Sequence, residues 1–279
     1  MASEYKGPVQ AYVIWIGIAV FTFLVLLPIY VLIVISFGAP SQTVATYYPY
    51  LVPTKWTLKN FISSFTGIGQ NFISAFYKSL ETAFLVAGLA IVLGFHAAYG
   101  LSKLPGKLGN LINGVLFFST MIPSLTVAIP LSETFLRLGL YDSFIGLGLA
   151  QELIVLPLSV FLMMGALQSL PKQLEDQARV DGASFGQALY RIIFPLAIPS
   201  VIAAFLLSWL MSWDEFTFAV IISPVHPTLP ILIYLASSAR GNILTAASFS
   251  LLVTIPVIVL TLVLSKFLRG SYLTSGLVG

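Results

Sequence analysis

The sequence contains no cysteine, and charge is scarce: 13 Lys and Arg and 10 Asp and Glu make up 8% of 279 residues. Without cysteine there is neither a disulfide framework nor a thiolate site. With only two histidines, a metal centre is poorly supplied. Soluble domains carry roughly 25% charged residues, so this chain lacks an ordinary water-facing surface. Also missing are the G-x-x-x-x-G-K-[ST] phosphate loop, H-E-x-x-H and G-x-S-x-G. The stretch "GASFG" at 182–186 is too short and wrongly ordered to hold a phosphate. An intramembrane enzyme therefore has no visible machinery.

What is present is apolar. Hydrophobic residues make up 58% of the chain and the mean hydropathy is +0.99. The net charge of +3 and pI near 9.0 do not point to nucleic acid, because the basic residues sit in short loops between greasy segments. A bilayer core takes about 20 apolar residues in a helix. Six such stretches are predicted, at roughly 12–37, 78–101, 109–131, 148–168, 196–222 and 247–267, making residues 1–279 one all-α, polytopic transmembrane domain. The first run is longer than the roughly 7–15 residues of a signal-peptide core, so it is read as a retained span.

Orientation follows from the distribution of Lys and Arg. Lys6, Lys103, Lys107, Lys172, Arg179, Arg191, Lys266 and Arg269 fall on one side, against Lys55, Lys59, Lys78, Arg137 and Arg240 on the other. This predicts a multi-pass cell-membrane protein with both termini cytoplasmic. "YYPYLVPTKW" at 47–56 has the Tyr, Trp and Pro of an interfacial segment on the outer side.

One segment breaks the apolar pattern. Glu175, Asp176, Arg179, Asp181 and Arg191 crowd between the fourth and fifth stretches, on the cytoplasmic side. Ser169 and Pro171 mark a helix start, and Gly182 supplies a left-handed stop. Ser184 and Gln187 form a capping-box pattern that opens a second helix with an apolar stripe of Phe185, Leu189, Ile192 and Ile193, suited to lie on a partner. Pro195 and Pro199 are expected to break this helix from the next span.

The pattern "DQARVDG", nine residues, then "IIFP" resembles the E-A-A-x-x-x-G-x9-I-x-L-P signature of ABC importer permeases. Asp176, Gln177 and Ala178 stand for Glu-Ala-Ala, Gly182 for the glycine, Ile192 for the isoleucine and Phe194-Pro195 for Leu-Pro. "VPTKWTLKNFISSF", "FYKSLETA", "SWDEFTFAVI" and "TLPILIYL" extend the likeness to carbohydrate importers of the maltose-transporter type. Departures are Lys78 and Asp214, where the family more often has Asn.

The resemblance implies a type I importer fold with a cytoplasmic coupling loop at 171–195. Glu175, Asp176, Ala178, Asp181, Gly182, Ile192 and Pro195 would then couple to an ATPase. It also implies a second homologous permease, two ATP-binding subunits that use ATP and Mg, an extracytoplasmic sugar-binding protein, and a sugar as substrate. The chain itself would bind no cofactor and perform no hydrolysis.

Candidate path residues are Asp214 and Glu215 beside Trp209 and Trp213. Sugar sites pair carboxylates with aromatic rings, and ionisable groups inside a span normally face the bundle interior or a cavity. The competing reading is a carboxylate pair satisfied by helix contacts. His96 and Tyr99 lie deep in the second stretch, where a lone histidine is more often a buried hydrogen-bonding group. Glu152 and Glu81 read as boundary charges. The alternative class is an ion-driven secondary carrier with Asp214, Glu215 and His96 as a proton relay, disfavoured because no inverted repeat is visible.

Overall fold

The computed structural model of the protein describes residues 8–43, 51–66, 70–171, 173–238 and 242–275, with side chains between 12 and 267. Lys6, Lys172, Arg240 and the first four residues of "YYPYLVPTKW" lie outside them. Among the described residues all regular structure is helical, and the chain divides into two compact units, residues 1–70 with 233–254 and residues 71–232 with 255–279.

In the first unit, α1 (Pro8–Phe37) is an uninterrupted apolar helix whose side chains are exposed from Tyr12 to Val31, as lipid contact requires. Its C-terminal carbonyls are satisfied by a side chain. Asn60, in α3 (Lys59–Ser64), directs its amide nitrogen at Ser36 O (3.0 Å) and Gly38 O (2.9 Å). The short α2 (Pro40–Thr43) follows α1, and Gln42 Oε1 accepts from the Thr54 and Lys55 amides, which folds the connecting chain back.

The second unit is built on α4 (Phe72–Lys103), α7 (Phe144–Gln168) and α10 (Phe194–Trp213). Lipid supplies no hydrophobic drive between helices, so close packing needs small residues. Ala83, Ala87 and Ala90, at i, i+4 and i+7 on α4, are all fully buried. A Cβ added at Gly94 would lie 2.8 Å from Met163 Cε, and one at Gly148 the same distance from Leu85 Cδ2, so both glycines set the α4–α7 separation. Ser159 and Ser208 join α7 to α10 through a 2.8 Å hydrogen bond.

Between α4 and α7 the predicted third stretch is not one helix. α5 (Gly106–Ser119) and α6 (Ser124–Leu138) meet at 82°, and they count as a single span only if that bent pair is taken together. Pro123 has no N–H and forces Ile122 out of the helical region. Ser119 and Thr120 turn their hydroxyls back on Leu116 O and Phe117 O, ending α5.

The boundary at Pro195 also differs from expectation. After α8 (Gln173–Val180) and α9 (Phe185–Ala188), a π turn over Leu189–Ile193 runs directly into α10, so the chain is helical from Phe185 to Trp213. The π turn's extra residue relieves the demand that Pro195 donate to Arg191, and Pro195 sits at the tolerant first positions of α10. The actual break falls later. α10 stops at Trp213 and α11 (Thr217–Ile222) begins afresh, where a continuous stretch to 222 was predicted. α12 (Leu229–Ser238) and α13 (Ile243–Ser275) complete the chain.

Candidate functional site

The polar segment forms a two-helix elbow. Gly182 has φ +86°, and the bonds Ala183 N to Ala178 O (2.9 Å) and Gly182 N to Arg179 O (3.1 Å) close a Schellman motif at the end of α8. Ser184 then caps α9: its Oγ accepts from Gln187 N, and Gln187 Oε1 accepts from Ser184 N. Gly182 and this capping box are where the sequence put them.

The elbow has an inner and an outer face. Asp176, Asp181, Gly182 and Pro195 are exposed, as are Gln177, Arg179 and the apolar side chain of Val180, which is 87% accessible. Ala178 is buried and Ile192 half-buried. Leu189 and Ile193, from the stripe expected to meet a partner, instead enter this chain's own core with Phe95 and Met163. Phe185 sets its ring edge-on to Tyr99, with centroids 5.8 Å apart.

Glu175 also turns inward. Its carboxylate accepts from Tyr99 Oη (2.9 Å) and from Lys103 Nζ, both on α4, and from Arg179 Nη2 (2.8 Å) one turn along α8. Burial would raise its pKa. The hydrogen bonds from Lys103 and Tyr99 and the charges of Lys103 and Arg179 outweigh that and hold the carboxyl below the usual range. Nearby, His96 Nδ1 lies 2.6 Å from Val92 O and its Nε2 2.6 Å from Tyr190 Oη. With neutral imidazole, Nδ1–H donates to the carbonyl and Nε2 accepts from the phenol. His96, Tyr99 and Lys103 fall at i, i+3 and i+7, so one face of α4 holds both halves of the elbow.

The four path candidates separate. Trp209 and Trp213 are 1% and 3% exposed, stacked at 4.8 Å and 15°, with Phe84 and Phe76 edge-on to them. Within this chain neither indole presents an open face. Glu215 caps α11, accepting from Phe218 N (2.9 Å) and Ala219 N (3.1 Å). Asp214 alone is exposed, at the end of α10.

Two acidic positions take places that sequence reasoning missed. Glu152 lies inside α7 rather than at its boundary, 8% exposed, and both carboxylate oxygens are without a hydrogen-bond partner among the described residues. Asp142, whose φ of 59° is unusual for a non-glycine, joins three segments at the opposite end of α4 from the elbow. Its carboxylate accepts from Lys78 Nζ (3.3 Å), Ser223 Oγ (3.1 Å), His226 N (3.1 Å) and the His226 ring. The only sequence signal was turn-like "GLYDS", which does not name the partners.

Five helices long and apolar enough to cross a membrane, or six if the bent α5–α6 pair is one span, together with a polar elbow folded against α4, mark an integral membrane protein among the described residues. The chain belongs to the family described as the binding-protein-dependent transport system inner membrane component, whose pattern matches residues 90–271. It is a permease subunit rather than an enzyme. Curated relatives align over most of their length. The inner membrane ABC transporter permease protein YcjP of Escherichia coli (strain K12) is 27% identical, covering 94% of this chain and 95% of that protein. The trehalose transport system permease protein SugB of Mycobacterium tuberculosis is 30% identical over 82% and 84%. The trehalose/maltose transport system permease protein MalG of Thermococcus litoralis is 27% identical over 94% of each. Among solved structures, a chain of a bacterial ABC transporter for the acidic polysaccharide alginate superimposes with a TM-score of 0.73 at 18% identity, covering 95% of this chain and 99% of that one. That likeness establishes the fold.

Proposed function

We propose that this chain is one of two permease subunits of an ATP-driven sugar importer, and that residues 1–279 act as a single transmembrane domain. The observation that carries the reading is the elbow at 171–195, polar and exposed on one face and locked to the bundle on the other. The names of the relatives, which include trehalose, maltose and melibiose/raffinose/stachyose permeases, support a sugar as the solute. The elbow and both termini lie in the cytoplasm, in keeping with the excess of Lys and Arg on that side. A binding protein delivers sugar to the outer mouth, a second permease completes the path, and two separate ATPase subunits bind ATP and Mg.

Asp176, Asp181, Gly182 and Val180 form the face offered to the ATPase. Glu175 and Ala178 act inward: when nucleotide closes the ATPase pair, the elbow moves and takes the inner end of α4 with it. Uptake by the reconstituted complex should therefore persist when ion gradients are collapsed and ATP is supplied. Loss of uptake under those conditions would make the protein an ion-driven carrier.

In the path itself, Asp214 is the carboxylate left free to meet solute. Asp214→Ala should lower sugar uptake about tenfold, the effect of losing one hydrogen bond to a charged acceptor, about 1.5 kcal/mol. Co-purification of the complex should be unchanged, and a variant that fails to assemble would show that the residue is structural.

A further inference from the structure

At the outer end of α4 is a recess of about 430 Å³, within the range of small-molecule sites. Tyr77, Lys78 and Glu81 on one face of α4 form one wall, and Asp142, Phe144 and His226 the other. Its components differ in what they leave unused. Lys78 and Asp142 are consumed by each other and by Ser223 and His226. Glu81 is exposed and has no hydrogen-bonding or charged partner among the described residues. His226 is fixed through its Nδ1 and backbone N–H to Asp142, which leaves Nε2 unengaged. The Tyr77 and Phe144 rings remain 58% and 36% exposed.

An unpaired carboxylate on a spanning helix is costly against lipid, so Glu81 faces water or protein. The unburied stripe below it on α4 runs through Phe84 and Val92 to His96, and so carries a second ionisable group where lipid would select leucine. Glu81 therefore stands at the outer mouth of a stripe that lines the path or the seam beside it. Rigid placement comes from Asp142, whose four bonds hold α4, the start of α7 and the 223–226 loop in one arrangement.

We propose that this recess is a sugar-receiving subsite at the outer mouth, in which the Glu81 carboxylate accepts hydrogen bonds from adjacent ring hydroxyls, His226 Nε2 contacts a third, and the Tyr77 and Phe144 rings cover the apolar face of a pyranose. The proposal rests on the sugar-import reading. It assigns to exposed residues the aromatic and acidic contacts that the buried Trp209 and Trp213 cannot make within this chain.

The test uses the complete reconstituted transporter with its binding protein, and radiolabelled maltose, trehalose and raffinose as probes. Glu81→Ala and Tyr77→Ala, made separately, should each reduce uptake about tenfold at saturating binding protein, with binding-protein-stimulated ATP hydrolysis unchanged. Glu81→Gln, which keeps an acceptor, should retain most of the uptake. Wild-type uptake in both alanine variants would overturn the proposal. So would a defect seen only below saturating binding protein, which would make the recess a docking surface for that protein. A wild-type complex that moves none of these or other sugars but does move a non-sugar solute under ATP would overturn the sugar reading itself, before any variant is compared.

Discussion

Replacing Glu175 with alanine is expected to cut sugar uptake at least tenfold while the complex still assembles and still hydrolyses ATP. The elbow is joined covalently only to α7 and α10, yet its polar and aromatic contacts converge on the last turns of α4: Glu175 on Tyr99 and Lys103, Phe185 on Tyr99, Tyr190 on His96. Glu175 is the member with most partners, and its removal strands the buried phenol and leaves Lys103 with no carboxylate. Hydrogen bonds to charged groups contribute about 1.5–3 kcal/mol, and the lower bound alone is a factor of ten. The Lys103 and Arg179 contributions are smaller, because both cations are about half exposed and screened.

A merely structural Glu175 would lower uptake and hydrolysis together. A transmitting one raises the ATP consumed per sugar moved. The charge swap Glu175→Lys with Lys103→Glu should recover part of the lost coupling, and the shortfall measures what Tyr99 contributes. Because the chain has no cysteine, spin labels at Gly100→Cys and Asp181→Cys can be placed without background from this subunit. Their separation should stay constant between nucleotide-free and ATP-bound complexes, and a large change would mean that the elbow swings free of α4. The pH dependence has a definite sign. The folded-state pKa of Glu175 is depressed by Lys103, Tyr99 and Arg179, so its stabilisation is complete above the ordinary carboxylate range and is lost as pH falls through the lower folded value. Glu175→Gln should accordingly show its defect at neutral pH, where the wild-type carboxylate is fully charged.

Much of this was legible in the sequence because local physics decided it. Six apolar stretches, the glycine that must adopt positive φ and a capping box whose partners stand three positions apart need no tertiary information. Where the sequence misled, long-range partners decided instead. The hydropathy of 109–131 does not register a turn of 82°, because apolar residues continue through Pro123. Pro195 looked like a break, but an inserted residue in the π turn carries the helix past it. Glu175 and Asp176 are indistinguishable as letters. Adjacent helical residues point about 100° apart, and only the position of α4 determines which of them turns inward. Trp209 and Trp213, four residues apart, share a helix face and so stack on each other rather than on a ligand. Glu152 read as a boundary charge because its helix begins earlier than predicted, at Phe144.

Gly182→Val should uncouple the transporter with the spans still inserted. At φ +86° a residue with a Cβ is strained, and left-handed geometry costs about 1–2 kcal/mol before β-branching adds to it. Beyond its two chain neighbours, no atom of the described residues lies within 4 Å of a Cβ built there, so the obstacle is torsional rather than steric crowding. The strain is relieved by opening the Schellman bonds at Ala183 and Gly182, which releases α8 from the capping box that follows and changes the angle between the halves of the elbow. Both halves remain tied to α4, through Glu175 and Tyr190, so a changed angle displaces the exposed face of Asp176, Val180 and Asp181 rather than the bundle. The expected result is weakened ATPase association or futile hydrolysis with little transport, measured as ATP consumed per sugar imported. Asn tolerates positive φ better than other non-glycine residues, so Gly182→Asn should keep most of the coupling. If valine and asparagine transport equally well, the turn is not what orients the elbow, and the docking face must be held by the α4 contacts alone.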